Sequence, residues 1–268
     1  MHQYGKESKD TNKLMVISLL VTSALIYLFI WPQQKSDSTT KEGNESRSLA
    51  SKLPDFNEYQ IISERKEAFF TYLKPMILDM NQEVAKDRQL LLNFADIYDK
   101  TDQLPTRYQA QLQELSHKYR VDEKLYENKP ELFKTLRLRI DTLPESLVLA
   151  QAANESAWGL SRFAQEGNNL FGQWCFKEGC GIVPKRRGQG QHHEVAVFPS
   201  PKASVRSYMM NLNTHPAYES LRLLRQALEF SQKPVTGKAL AAGLMNYSER
   251  KEAYVKEIRL MIEQNHLE

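Results

Sequence analysis

The sequence predicts a mainly α-helical (α+β) domain with one small β-hairpin lobe, carried behind an N-terminal transmembrane helix. Three observations predict it. Apolar residues recur at three- and four-residue steps on both sides of the middle of the chain, the helical period. Residues 172–198 break that pattern with Gly172, Gly179, Gly181, Gly188 and Gly190, two cysteines, and short runs such as "GIVP" and "HEVAVF". Residues 14–31, "LMVISLLVTSALIYLFIW", carry no charge.

Taken in order, the uncharged segment would span roughly 27 Å as a helix, close to the thickness of a bilayer core. A cleaved signal peptide is shorter and ends in an A-x-A-like site; this segment closes on Trp31 and Pro32. A retained anchor over 14–31 is therefore expected. Lys6, Lys9 and Lys13 precede it, partly offset by Glu7 and Asp10, and Lys35 is the first basic residue after it. That bias makes 1–13 a cytoplasmic tail and puts the remainder outside. Residues 32–55, "PQQKSDSTTKEGNESRSLASKLPD", lack apolar periodicity and read as a flexible linker with a reach of roughly 27 Å.

From Phe56 to residue 131 the pattern is helical and predicts a packing scaffold. "FFTYLKPMILDM" and "QLLLNFADIYDK" show the period, with Pro75 expected to open a new helix or kink one. "LPTRYQAQLQELSHKY" repeats apolar positions at Tyr108, Leu112, Leu115 and Tyr119. "DTLPESLVLAQAANESAWGLS" predicts a further helix, with Asp141 or Thr142 as its cap and Pro144 and Glu145 in its first turn. The lobe over about 172–198 reads as a β-hairpin or three-stranded flap. Four helical stretches follow, the last "SERKEAYVKEIRLMIEQ".

Cys175 and Cys180, in "CFKEGC", would lie in an oxidising space, which favours a disulfide. A C-x4-C metal half-site completed by His192 and His193 is the weaker alternative, and that spacing matches no common zinc pattern. No metal or cofactor is expected. The net charge of +3, from 36 basic and 33 acidic residues, is too balanced to imply nucleic acid. No nucleotide-binding glycine motif and no paired CxxC set occurs.

Between Glu145 and Arg162 the single charged side chain is Glu155, set among alanines, serines, leucines and Trp158. Desolvation disfavours a charged carboxylate, so Glu155 should hold its proton above the usual range of about 4.3. A carboxylic acid protonated near neutral pH can donate to a glycosidic oxygen. The plainer reading is an exposed helical Glu with no role. Trp158 and Phe171, able to line a sugar cleft, and the flap beyond them favour the acid.

"LAQAANESAWGLSRFAQEGNNLFG" resembles the glucosaminidase domain of peptidoglycan hydrolases, glycoside hydrolase family 73, in particular its Bax-type membrane-anchored members. Supporting stretches are "LPESLVLAQAA", "GQWCFKEGCGIVP", "HHEVAVFPSPKASVRSYMMNLNTHPAYESLR" and "LAAGLMNYSERKEAYVKEIRLMIEQN", so the resemblance runs from about Leu132 to the C-terminus. It implies a lysozyme-like glucosaminidase fold over 132–268, cleavage of the β-1,4 bond after N-acetylglucosamine, and an inner-membrane protein whose domain faces the periplasm and peptidoglycan. By carry-over Glu155 is the general acid. Glu194 falls where relatives place a second acid and is the expected base, with Glu178 as runner-up. The substrate's own N-acetyl group is the nucleophile if neither comes near. Tyr247 in "NYSER" resembles a tyrosine beside the catalytic Glu; otherwise it packs on the helix expected from Ser248. Asn168 and Asn169 are expected to shape the cleft or simply to form a turn, and Trp174 to stack on a sugar or join the core. Ala157 departs from a glycine found in many relatives, where a methyl group would narrow the space beside Glu155. The basic stretch "PKRRGQGQHH", residues 184–193, is a solvated loop or a site for peptide carboxylates. Rival functions are a lytic transglycosylase acting after N-acetylmuramic acid and a non-catalytic wall-binding protein.

Overall fold

The structure, a computed structural model, describes residues 52–185, 187 and 190–268. The tail 1–13, the anchor 14–31 and most of the linker 32–55 lie outside the described residues. Among the described residues no helix is long and apolar enough to cross a membrane. The folded part starts earlier than the periodicity suggests. Leu53 is buried in the core, and Asp55 accepts the Asn57 N–H to start a 3-10 turn over Phe56–Glu58.

Helix α1 (Ile62–Thr101) is the spine. Its 40 residues run about 60 Å. Phe69, Leu73, Ile77, Met80, Val84, Leu91 and Phe94 make the buried stripe, at steps close to the helical period. Pro75 opens no new helix and stands inside this one. Both it and Thr71, whose carbonyl loses its i+4 donor, face solvent, where water can replace the missing bond. Helix α1 ends where Asp102 turns left-handed.

Around the spine pack α2 (Thr106–Lys118), α3 (Lys129–Arg139), α4 (Glu145–Ser156) and α6 (Pro201–Thr214), while the short α5 is Arg162–Gly167. Helices α7 (Glu219–Phe230), α8 (Gly237–Leu240) and α9 (Glu252–Gln264) close the far side. Helix α9 begins at Glu252, not at Ser248, because 245–251 form turns after a 3-10 stretch. The expected β lobe is present. Strands β1 (Trp174–Cys175), β2 (Gly181–Ile182) and β3 (Glu194–Ala196) form an antiparallel sheet in the order β1-β3-β2. Trp174 pairs with Val195, and Gly181 with Ala196. The disulfide Cys175–Cys180 ties the loop between β1 and β2.

Helix α4 is the central element. Ser146 to Ala153 and Ser156 are all buried, against α1, α8 and α9. Neither Asp141 nor Thr142 caps it; the N-cap is Pro144 and has no side-chain bond. Asp141 serves the preceding turn instead. Its carboxylate accepts the Thr142 N–H at 2.8 Å and pairs with Arg88 at 3.3 Å and Arg225 at 3.5 Å.

Arg225, only 2% exposed, holds that connection to α7. It donates to the carbonyls of Leu138, Asp141 and Thr142 and to Asn213 Oδ1 at 2.9–3.2 Å. Burial pulls its pKa down to about 10, which leaves it charged at neutral pH. Arg225→Met would strand Asp141 and several carbonyls without their buried donor. A loss of about 3–5 kcal/mol is expected, to be measured by urea unfolding of the variant beside the native chain.

Candidate functional site

Glu155 lies in the last turn of α4. The chain then turns sharply through three left-handed residues, Ala157 (φ 51°), Trp158 (φ 61°) and Gly159 (φ 77°). Ser156 holds the turn: its hydroxyl donates to the Ala152 carbonyl at 2.6 Å and accepts the Gly159 N–H at 2.8 Å. A β-carbon in this region costs on the order of 1 kcal/mol, so Ala157 and Trp158 are strained positions next to the carboxylate. Glycine suits position 157 for backbone reasons. The Ala157 methyl is exposed and does not line the cleft, so it leaves the space around Glu155 unchanged.

The cleft beside Glu155 measures about 530 Å³, within the range of sites that take a small ligand. Phe171, Gly172, Gln173 and Trp174 line it from the connection into the lobe, and Ser207, Tyr208 and Asn211 from α6. Tyr218, Tyr247 and the exposed Arg120, from the turn after α2, complete the lining. A β-carbon on Gly172 would lie 3.8 Å from Glu155 Oε2, and its φ of +63° also favours glycine. The bare backbone at 172 leaves that oxygen approachable.

The other oxygen is held. Tyr254 donates its hydroxyl to Glu155 Oε1 at 2.7 Å, and Asn154 Nδ2 lies at 3.2 Å. Tyr254 accepts in turn from Gln151 Nε2 at 2.8 Å, and Gln151 Oε1 accepts the hydroxyl of Tyr208. Gln151 is fully buried and one helical turn before Glu155, so both side chains share a face of α4. The direction of donation is consistent throughout, from Tyr208 to Gln151 to Tyr254 to Glu155. Burial is the largest influence on Glu155 and raises its pKa. The bonds from Tyr254 and Asn154 and the charge of Arg250 oppose it, while Glu257 adds to it.

The structure gathers some of the expected residues and separates others. Glu155, Phe171, Trp174 and Tyr247 share the cleft. Phe171 is buried and stacked at 3.9 Å on Tyr208, while Trp174 is 58% exposed and stacked at 3.9 Å on His193. Tyr247 donates to the Phe171 carbonyl at 2.8 Å and stacks on Tyr254 at 5.4 Å. The tyrosine bonded to Glu155 is thus Tyr254, seven positions on, and Tyr247 braces it.

Trp158 does not reach the cleft. It packs edge-on against Phe69 and Phe70, with the Lys66 ammonium 4.6 Å above its ring, and anchors the turn to α1. Asn169 is buried, donating to the carbonyls of Gln173 and Ala196 and accepting from the Phe171 and Gln173 amides. Asn168 caps α5 in a left-handed conformation and donates to the Phe198 carbonyl at 3.0 Å. Both asparagines join the lobe to the helices, and neither lines the cleft.

Glu194 is 5% exposed and also stands apart from the cleft wall. Its carboxylate accepts the amides of Gly179 at 3.0 Å and Gly181 at 2.7 Å, and these bonds hold its pKa below the usual range. A carboxylate so engaged clamps the disulfide loop and has little basicity to offer water. Glu178 is exposed on that loop. Atoms of Cys175, Cys180 and Glu194 lie within 4.8 Å of one another, but the disulfide and the two amides occupy them, and His193 faces Trp174 instead. The basic stretch is described only in part; Arg187 donates to the His193 carbonyl at 3.3 Å.

Opposite pKa directions predict opposite effects of two neutral variants. The folded-state pKa of Glu155 lies above its unfolded value, so ionising it costs stability as pH rises through that pKa. Glu155→Gln should therefore melt higher than the native chain near neutral pH, with the gap closing towards the ordinary glutamate range. The folded-state pKa of Glu194 lies below its unfolded value, so its stabilisation is present above that value and is lost in acid. Glu194→Gln should melt lower near neutral pH, with its gap closing as pH falls through the depressed pKa. Melting curves from about pH 3 to about pH 8 check both signs.

Residues 130–267 match the Glucosaminidase family, described as mannosyl-glycoprotein endo-beta-N-acetylglucosaminidase. The chain is 34% identical over 230 residues to protein bax of Escherichia coli strain K12, covering 85% of this chain and 80% of that one. Among solved structures it is similar to the catalytic domain of the autolysin Auto from Listeria monocytogenes, at 19% identity over 85% of this chain and 96% of that chain, with a TM-score of 0.41. It is also similar to a C-terminally truncated glycoside hydrolase domain of FlgJ from Salmonella typhimurium, at 23% identity over 46% of this chain and 83% of that chain, with a TM-score of 0.33. The family match spans the helix that carries Glu155, the whole β lobe and the tyrosine wall, and the chain belongs to the glucosaminidase family as a homologue of Bax.

Proposed function

We propose that the chain is a peptidoglycan hydrolase, an endo-β-N-acetylglucosaminidase cleaving the β-1,4 bond after N-acetylglucosamine with Glu155 as general acid. The observation that carries this reading is the state of Glu155: burial raises its pKa, one oxygen is fixed by Tyr254, and the other faces a cleft walled by aromatic rings. Membership of a glucosaminidase family supports glycoside hydrolysis as the reaction. The uncharged segment 14–31 supports an inner-membrane tether with the domain in the periplasm, and the disulfide suits that oxidising space.

Among the described residues Glu155 is the single carboxylate lining the cleft. That supports a substrate-assisted course. The proton of Glu155 passes to the glycosidic oxygen as its bond to C1 breaks, and the acetamido oxygen of the same sugar closes on C1. Water then adds to C1, giving a proton back to the Glu155 carboxylate and reopening the ring. Two displacements at C1 retain its configuration. Tyr254 keeps Glu155 turned towards the leaving oxygen, with Gln151 and Tyr208 fixing Tyr254.

Glu155→Gln should lower turnover at least roughly 100-fold, as removal of a general acid does, while wall binding and folding persist. Mass spectrometry of digested peptidoglycan should show reducing-end N-acetylglucosamine. Anhydro-muramic products would instead identify a lytic transglycosylase, and binding without products a wall-binding protein. NMR of fresh product should show retained configuration; inversion would demand a second carboxylate. In Tyr254→Phe the bond favouring ionised Glu155 is lost, so its pKa rises further. The alkaline limb of the rate profile should move to higher pH, with kcat lower by roughly tenfold from lost orientation.

A further inference from the structure

Among the described residues, the charged ones that line the cleft are Glu155 and Arg120. Arg120 comes from outside the segment that matches the family, residues 130–267. The turn that carries it is firmly built. Its flanking residues Tyr119 and Val121 are buried, and the Tyr119 hydroxyl donates to Asp87 on α1 at 2.8 Å. Lys118, just before, reaches Glu83 and Asp87 at 2.7 and 2.6 Å. Arg120 itself is left-handed (φ 56°), its amide bonded to the His117 carbonyl at 3.1 Å, and its carbonyl accepts from Arg139 at 2.5 Å. These bonds use backbone atoms and neighbouring side chains, and Arg120 itself is exposed where it borders the cleft. Among the described residues no carboxylate forms an ion pair with it.

A cation held by a well-anchored turn at the edge of a sugar cleft can pair with an anionic group on the ligand side. A glycan of N-acetylglucosamine and N-acetylmuramic acid offers one close to the rings. The lactyl group of every second sugar ends in a free carboxylate when the peptide has been removed, and in a neutral amide when it has not. Resting on the hydrolase reading above, we propose that Arg120 is a specificity-determining residue that binds the lactyl carboxylate and selects glycan strands stripped of their peptides. Carboxylates further along a stem peptide share the same chemistry, and the peptide-bearing strand below separates the two sources.

The test compares the full-length chain and Arg120→Gln and Arg120→Lys variants on three substrates: peptide-free strands, the same strands with their carboxylates converted to amides, and peptide-bearing strands. The native chain should prefer the free acid over the amidated strand by roughly fivefold in kcat/KM, the order expected of a partly solvated charge pair. In Arg120→Gln that ratio should fall to about one, through KM rather than kcat, and Arg120→Lys should restore part of it. A ratio unchanged in Arg120→Gln would overturn the assignment. So would a preference for peptide-bearing strands that is lost in the variant, which would place the recognised carboxylate on the stem. Should the native chain release no reducing ends from any strand, the hydrolase reading fails on its own. The same acid-to-amide ratio, taken from equilibrium binding of the strands, then decides for or against Arg120.

Discussion

One buried chain of hydrogen bonds governs this site: Tyr208 to Gln151, Gln151 to Tyr254, and Tyr254 to Glu155. Helix α4 is buried from Ser146 to Ala153, and a polar group there without a partner would cost on the order of 1–3 kcal/mol. Gln151 answers that demand by accepting with one end of its amide and donating with the other. Each donor in the series fixes the rotamer of the next side chain. Glu155 is therefore held by the core rather than by solvent contacts, in the one turn of α4 that opens onto the cleft.

The scaffold exists to keep that turn in place. Helix α1 lies against α4 along its apolar stripe, and Trp158, wedged between Phe69 and Phe70, fixes the chain directly after Glu155. Arg225 gathers the carbonyls ahead of α4, so the helix is pinned at its start as well as its end. On the other side of the cleft, Asn169 ties the lobe to the helices. Glu194 and the disulfide brace the loop behind Trp174. Opposed demands on two glutamates follow. The one facing the cleft is made harder to ionise by burial, and the one in the lobe is made easier to ionise by backbone amides.

Much of this was legible in the chain because it is local. The stripe of α1, the uncharged run of α4, the glycine-rich lobe and the short Cys175–Cys180 loop each depend on residues near one another in sequence. Glu155 stood out for the same reason, as a single charge in an apolar run. The placements that differ from the local expectation depend on distant partners. Trp158 has the chemistry of a sugar platform, yet its left-handed backbone turns it towards α1. Glu194 has the chemistry of a base, yet the amides of Gly179 and Gly181 take its lone pairs. Tyr254 was hidden in an amphipathic helix where a buried tyrosine is unremarkable, and its partner lies 99 residues away in sequence.

The sequence by itself determined the helical class, the position and covalent tie of the β lobe, and the identity of the lone carboxylate. Periodicity, turn chemistry and desolvation act over a few residues and need no partner. Only the tertiary structure decided which oxygen of Glu155 is held, which tyrosine holds it, and that Arg225 is buried inside a helix of ordinary amphipathic pattern. It alone brought Arg120, from a region without any local sign of a site, to the wall of the cleft. Hydrogen bonds and charges act through space, so they join residues that the sequence sets far apart.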